Sequence, residues 1–311
     1  MGNAEAAVAP SGGQRIGSLL VFSFALACIL PVLVSLDLMR TLWSRILVDE
    51  TFSHIPLIPA VSLFLVYAER HTIFAKISRG WQLGGGLILG GAMFLVWARL
   101  NHAPFAAINQ LSLLMFGLVL VWMGAFACFF GARAFRAALF PLLFLLFAIP
   151  VPEPLLSQTI YLLQKGSAEA TGVLFKLLGV PALRLPDFVF VLPGVAIRVA
   201  EECSGIRSAL ALLITAVLAG HLYLESKVNL LILALLVFPI AIVKNGMRIV
   251  TLSCLAVYVN PSFLQGNLHR YGGIPFFLLD LLMLGLVIAL LRRIERPNPS
   301  ALRNPAILPA E

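Results

Sequence analysis

Between Val199 and Ser208 the chain reads V-A-E-E-C-S-G-I-R-S, a polar stretch holding a thiol, two hydroxyls, adjacent acids and a guanidinium. An apolar run, A-L-A-L-L-I-T-A-V-L-A-G, follows at once. Cys203 therefore stands at the mouth of a helix long enough to cross a bilayer. The helix terminus and Arg207 favour the thiolate there, while Glu201 and Glu202 oppose it. Two further polar stretches interrupt apolar sequence downstream: K-N-G-M-R, with Lys244, Asn245 and Arg248, and N-L-H-R-Y-G-G, with His269. A thiol, an imidazole and a guanidinium suffice for acyl transfer. Cys203 would attack a carbonyl, His269 would carry protons, and Arg248 would stabilise the oxyanion or orient the substrate.

Taken singly, each residue has a plainer reading. Cys28, Cys128 and Cys254 lie in apolar runs, where a cysteine is usually a small buried hydrophobe. Cys203, though surrounded by Glu201, Glu202, Ser204 and Arg207, taken alone reads more readily as an ordinary loop cysteine. Arg248 reads equally as a residue snorkelling at the outer end of a span, with Ile249 to Val259 a short membrane-dipping helix. His269 is one of several interfacial histidines, with His54, His71, His102 and His221 also at span ends. Asp280 is the only acid deep in a span; it would pair with a basic group or face a cavity, and no role is assigned to it.

Other chemistries lack their residues. There is no H-E-x-x-H, no G-x-S-x-G and no G-x-x-x-x-G-K-[ST]. The four cysteines form no C-x-x-C pair and no metal-ligand spacing, so neither a disulfide framework, a metal site nor a cofactor is expected.

What must position these residues is membrane. Of 311 residues 60% are hydrophobic and 12% charged, and mean hydropathy is +0.99. Apolar runs at 16–36, 55–69, 81–99, 108–130, 135–151, 204–223, 228–247 and 273–291 predict an all-α polytopic membrane protein of about eight transmembrane helices. The second run is short and carries Pro56 and Pro59, so it spans only if tilted or kinked. The first lacks a small-x-small cleavage site and reads as an uncleaved span. In the third, Gly86-x-x-x-Gly90 would allow close helix packing. With the N-terminus inside, the inner segments hold eleven basic residues, and the short outer loops hold Arg40, Arg45 and Arg99. That bias predicts both termini cytoplasmic and all three polar stretches on the outer face. The net charge of +8 is thus topological, and no nucleic-acid partner is expected.

The longest non-spanning segment, about 152–203, opens on prolines that end the preceding helix. Its apolar positions alternate with Gln164, Lys165, Glu169 and Lys176, the pattern of an amphipathic helix lying in the outer interface. Then D-F-V-F-V-L-P-G-V-A-I-R-V-A predicts a short β-hairpin around Pro193-Gly194, leading to the cysteine. The chain divides accordingly into a cytoplasmic N-terminal tail (1–15), one integral-membrane domain (16–291) and a proline-rich cytoplasmic tail, 292–311, with the composition of a disordered segment.

A-E-E-C-S-G-I-R-S, then N-G-M-R, then H-R-Y-G-G-I-P-F-F before the last span resemble the three signature blocks of the exosortase/archaeosortase family. I-P-V-P-E-P-L-L and L-P-G upstream fit as well, and His269 sides with the bacterial members. The resemblance implies a membrane cysteine protease or transpeptidase, with Cys203 as nucleophile and Arg248 and His269 completing the site. Glu202, Ser204, Arg207 and Asn245 are supporting candidates. It implies as substrates exported proteins ending in a Pro-Glu-Pro-type motif (a PEP-CTERM signal), a transmembrane helix and a basic cluster. They would be cut through a thioester and passed to an acceptor whose identity is open. It also implies the cytoplasmic (inner) membrane with the site on its periplasmic face, membrane lipid as surroundings, and frequent association with exopolysaccharide genes. The sequence ends soon after its last apolar run, so the form without an extra C-terminal domain is expected. The rival reading is a non-enzymatic multi-pass transporter or exopolysaccharide-assembly protein whose polar stretches line a pathway.

Overall fold

Inside a bilayer no water satisfies backbone amides, so apolar runs must close their hydrogen bonds internally as helices. The computed structural model of the chain describes residues 12–75, 77, 80–101, 107–201, 204–264 and 273–295. It divides into two compact units, Met1–Leu155 and Leu156–Glu311.

The first unit holds α1 (Gly12–Val34), α2 (Leu36–Val48), α3 (Leu57–Ala68), the short α4 (Arg70–Ile73), α5 (Trp81–Leu100), α6 (Ala107–Ala137) and α7 (Leu139–Phe144). The centre is α6, lined by buried Val119, Met123, Phe126 and Phe130, against which Phe24 and Phe74 pack. Polar tethers hold its surroundings: the Trp122 indole donates to the Cys28 carbonyl at 3.0 Å, and Ser62 Oγ donates to the Pro141 carbonyl at 2.7 Å.

Close packing of α5 on α6 uses glycines other than the pair expected from sequence. A Cβ at Gly91 would stand 2.8 Å from the Gly117 carbonyl oxygen, and one at Gly124 would stand 2.8 Å from that of Gly84. Around Gly86 and Gly90 a Cβ would meet nothing within 4 Å. The reason is helical periodicity. Gly84 and Gly91 are two turns apart on one face, whereas Gly86 and Gly90 lie away from it.

The second unit holds most of α8 (Glu153–Leu177), then β1 (Leu183–Leu185), β2 (Val189–Leu192) and β3 (Val195–Arg198). After them come α9 (Ile206–Tyr223), α10 (Lys227–Tyr258) and α11 (Gly273–Ile294). The strands form one antiparallel sheet in the order β1-β2-β3, with Leu192 opposite Val195 across the Pro193-Gly194 turn. Strand β1 is the part unforeseen from sequence; L-R-L is too short to show periodicity. One face of the sheet packs Phe190, Leu192 and Val199 against Ala168 and Phe175 of α8 and Ile249 and Val250 of α10. Helices α9, α10 and α11 pack together around Leu212, Ala216, Leu233, Val237 and Leu284.

Five described helices (α5, α6, α9, α10 and α11) are long and apolar enough to cross a membrane. The count rises to as many as seven if each of two broken helix pairs forms one span. The chain is therefore multi-pass. The eight runs of the sequence reading do not each yield such a helix. α3 has only 12 residues, about 18 Å of helix at 1.5 Å per residue. The 135–151 run gives α7 and one further short turn before Pro150 and Pro152 stop it.

A second departure concerns α10. Instead of a span ending near 247 and a separate dipping helix, residues 227–258 form one helix of 32 residues. The polar K-N-G-M-R stretch lies inside it, with Lys244 and Asn245 partnered on neighbouring helices.

Candidate functional site

Helix α10 carries Lys244, Asn245 and Arg248 within two turns, in the interior of a long helix rather than at its end. Lys244 is 3% exposed, a position that costs several kcal/mol for an unpaired charge. Its Nζ lies 3.1 Å from Oδ2 of Asp280 on α11, which is fully buried, and donates to Ser208 Oγ on α9 at 2.6 Å. Ser208 Oγ in turn donates to the Gly205 carbonyl at 2.9 Å. One ammonium thus joins three helices at a single depth. Asp280, to which the sequence reading gave no role, is its counter-ion.

Asn245 is buried and donates through Nδ2 to Ser167 Oγ on α8 at 3.0 Å. That reach is short because Gly246 lets α8 come close. A Cβ there would lie 2.9 Å from the Ala170 methyl carbon. The glycine of N-G-M-R is therefore demanded by packing. Arg248, half-buried, follows one turn after Lys244.

The three helices alternate in direction. Ser208, at the start of α9, faces Lys244, while Gly220 near its end packs on Leu230 and Leu233. Likewise Asp280, early in α11, meets Lys244, while Glu295 just past its end accepts from Asn229 Nδ2 at 3.0 Å. The starts of α9 and α11 and the Arg248 region of α10 consequently lie at one end of this bundle.

At that end the chain enters α9 through Ser204 and Gly205. Ser204 is 1% exposed, and its N–H donates to the Glu201 carbonyl at 3.0 Å. Gly205 adopts φ +81°, where a side chain would be strained. Arg207 sits exposed in the first turn of α9. Cys203, Glu202 and His269 lie outside the described residues.

Beside this entry is a cavity of about 300 Å³ lined by Gln164, Asp187, Phe188, Arg198, Ala200 and Glu201. Gln164 is buried and donates through Nε2 to the Val199 carbonyl, which anchors the segment running from β3 toward the cysteine. At the rim, Asp187 and Phe188 both have positive φ, 58° and 59°. Two consecutive non-glycine residues there are uncommon, and phenylalanine tolerates it poorly. The sequence places Asp187, Phe188, Arg198 and Ala200 in the expected hairpin stretch but does not show that they line a cavity, because turn strain leaves no compositional mark.

The model of the transmembrane exosortase family matches residues 43–286, most of the chain and every polar stretch above. The chain belongs to the transmembrane exosortase family. No curated protein and no solved structure matches it significantly. As an exosortase it is a membrane protein of a family whose role is the processing of sorting signals. The matched region includes the positions of Cys203, Arg248 and His269 in this exosortase. Among its described residues, no cluster of three His, Cys, Asp or Glu side chains could hold a metal ion.

Sequence reasoning missed Ser208 and Ser167 and left the basic partner of Asp280 unnamed. The available signal was charge: Lys244 and Asp280 are opposite charges in apolar runs, and buried charges must pair.

Proposed function

We propose that this exosortase is a cysteine protease/transpeptidase that cleaves C-terminal sorting signals of exported proteins through a thioester on Cys203. In this reading it is one integral domain (16–291) of the cytoplasmic membrane. Both termini are inside, eight apolar segments cross or enter the bilayer, and the site opens on the outer face. Its substrates carry a Pro-Glu-Pro-type motif, a transmembrane helix and a basic cluster.

The chemistry follows from the three groups. His269 takes the thiol proton, and Cys203 Sγ bonds to the scissile carbonyl carbon while an electron pair moves onto the carbonyl oxygen. Arg248 stabilises that oxyanion. Collapse breaks the C–N bond, His269 returns its proton to the departing amine, and a thioester remains. An acceptor then attacks the thioester, gives its proton to His269, and releases Cys203. Water as acceptor yields hydrolysis, and an amine yields a new amide.

The common end of α9, α10 and α11 is the observation that carries the reading. Ser204 directly follows Cys203, Gly273 stands four residues after His269, and Arg248 is one turn beyond Lys244. Chain reach of about 3.5 Å per residue only bounds the distance of Cys203 and His269 from those helix starts. The rival pathway reading draws no support from the buried charges, since Lys244 and Asp280 are 3% and 0% exposed and face each other.

Co-expression with a reporter bearing such a signal tests the proposal. Wild type shortens the reporter on an immunoblot, and Cys203→Ala, His269→Ala and Arg248→Ala do not. Processing that survives Cys203→Ala removes the nucleophile and returns the pathway reading to first place.

A further inference from the structure

We propose that Lys244, Asp280 and Ser208 are positioning residues that set the placement of the Ser204–Gly205 entry to α9, the turn that follows Cys203 in sequence, against Arg248. This inference rests on the cysteine-transpeptidase reading above. The contacts form a chain: the Asp280 carboxylate holds the Lys244 ammonium at 3.1 Å, Lys244 donates to Ser208 Oγ at 2.6 Å, and Ser208 Oγ donates to the Gly205 carbonyl at 2.9 Å. Gly205 is two residues from Cys203 and has the left-handed φ that turns the chain into α9. Asn245, adjacent to Lys244, lies beside Gly205 on the α10 side, where a Cβ added to the glycine would stand 3.3 Å from its Cγ.

A buried pair of this kind is a poor choice for stability alone. Well-packed apolar residues of similar volume usually serve as well or better, because two charges must be stripped of water. What apolar residues cannot supply is direction. Only a donor fixes the Ser208 hydroxyl, and only a fixed hydroxyl aims its proton at the Gly205 carbonyl. The same ammonium lies one turn from Arg248, so the arginine and the Gly205 turn share one reference point. A misplacement of about 1 Å between reacting groups costs on the order of a hundredfold in rate.

The test uses the full chain purified in detergent, comparing wild type with Lys244→Met/Asp280→Leu and with Ser208→Ala. Three readouts are taken: monodispersity and melting, kcat and KM for a signal peptide, and the rate of maleimide alkylation at Cys203 by peptide mass spectrometry. The expected result is that both variants fold, that kcat falls about tenfold or more with KM within about twofold, and that alkylation shifts about threefold or more. A folded double variant, or Ser208→Ala, that keeps the wild-type kcat and alkylation rate overturns the proposal. Should the double variant not fold, Ser208→Ala decides, since it removes one hydroxyl and no charge. Should wild type not process the peptide, the transpeptidase reading fails by itself, and the alkylation rates still decide whether the network sets the thiol's surroundings.

Discussion

A Cβ built on Gly205 would lie 3.3 Å from the Asn245 side-chain carbon Cγ, so the turn into α9 rests directly on the asparagine of N-G-M-R. Two stretches some forty residues apart in sequence are thereby one structural object. The contact also explains why glycine stands at 205. It supplies both φ +81° and room for the amide.

Gly205→Ala should therefore be penalised twice. Left-handed backbone costs a non-glycine residue about 1–2 kcal/mol, and the added methyl must displace Asn245. Thermal melting in detergent checks the first cost. Reporter processing checks whether the second disturbs the site; unchanged melting would show that the turn relaxes freely.

Asp280→Leu alone should destabilise the chain by about 3–5 kcal/mol, because it leaves the Lys244 ammonium buried without its counter-ion. Adding Lys244→Met should recover most of that loss. Yield and melting temperature of the single and double variants measure it. A single variant as stable as wild type would mean that water reaches Lys244.

The α5–α6 seam makes a site-by-site prediction. Gly91→Ala and Gly124→Ala should cost about 1–3 kcal/mol each through overpacking against backbone. Gly86→Ala and Gly90→Ala should be neutral or slightly stabilising, since a methyl there meets nothing and alanine favours helix. Melting of the four variants separates the two faces, and equal losses would contradict the observed face.

The far end of the bundle is closed by Glu295. It accepts from the backbone N–H of Glu225 and of Ser226 and from Asn229 Nδ2, each at 3.0 Å. The Glu225 amide first, then the other donors, hold its carboxyl below the ordinary value of 4.5. A depressed folded pKa means the contribution is complete above the unfolded value and fades as pH falls through the folded one. Protection of the Glu225 and Ser226 amides from hydrogen exchange should accordingly hold at pH 6 and fall only once the pH drops below the ordinary carboxyl value of 4.5. Glu295→Gln should flatten that dependence, and an unaltered profile would place the titrating group elsewhere.

Much was legible in the sequence for identifiable reasons. Apolar run lengths fixed a multi-pass helical protein, since lipid tolerates little else. Three ordered polar stretches marked the family, and the period of the 152–203 segment marked α8 as amphipathic. The glycine seam was legible only in kind. Composition shows that small residues are present, but the face they share follows from where α6 packs. For Asp280 the need for a basic partner or a cavity was legible, but not which partner, because a counter-ion 36 residues away on another helix leaves no local pattern.

By itself, then, the sequence determined the solvent, the helical class and the family, and it supplied the candidates for thiol chemistry. These depend on residue type and short spacing, which a chain carries without folding. Tertiary structure decided that Lys244 pairs with Asp280 and Ser208, that Asn245 reaches Ser167, and that α10 continues through its polar stretch. Each of these depends on which helices become neighbours, and in which direction they run, so that charges distant in the chain can pay their desolvation cost together.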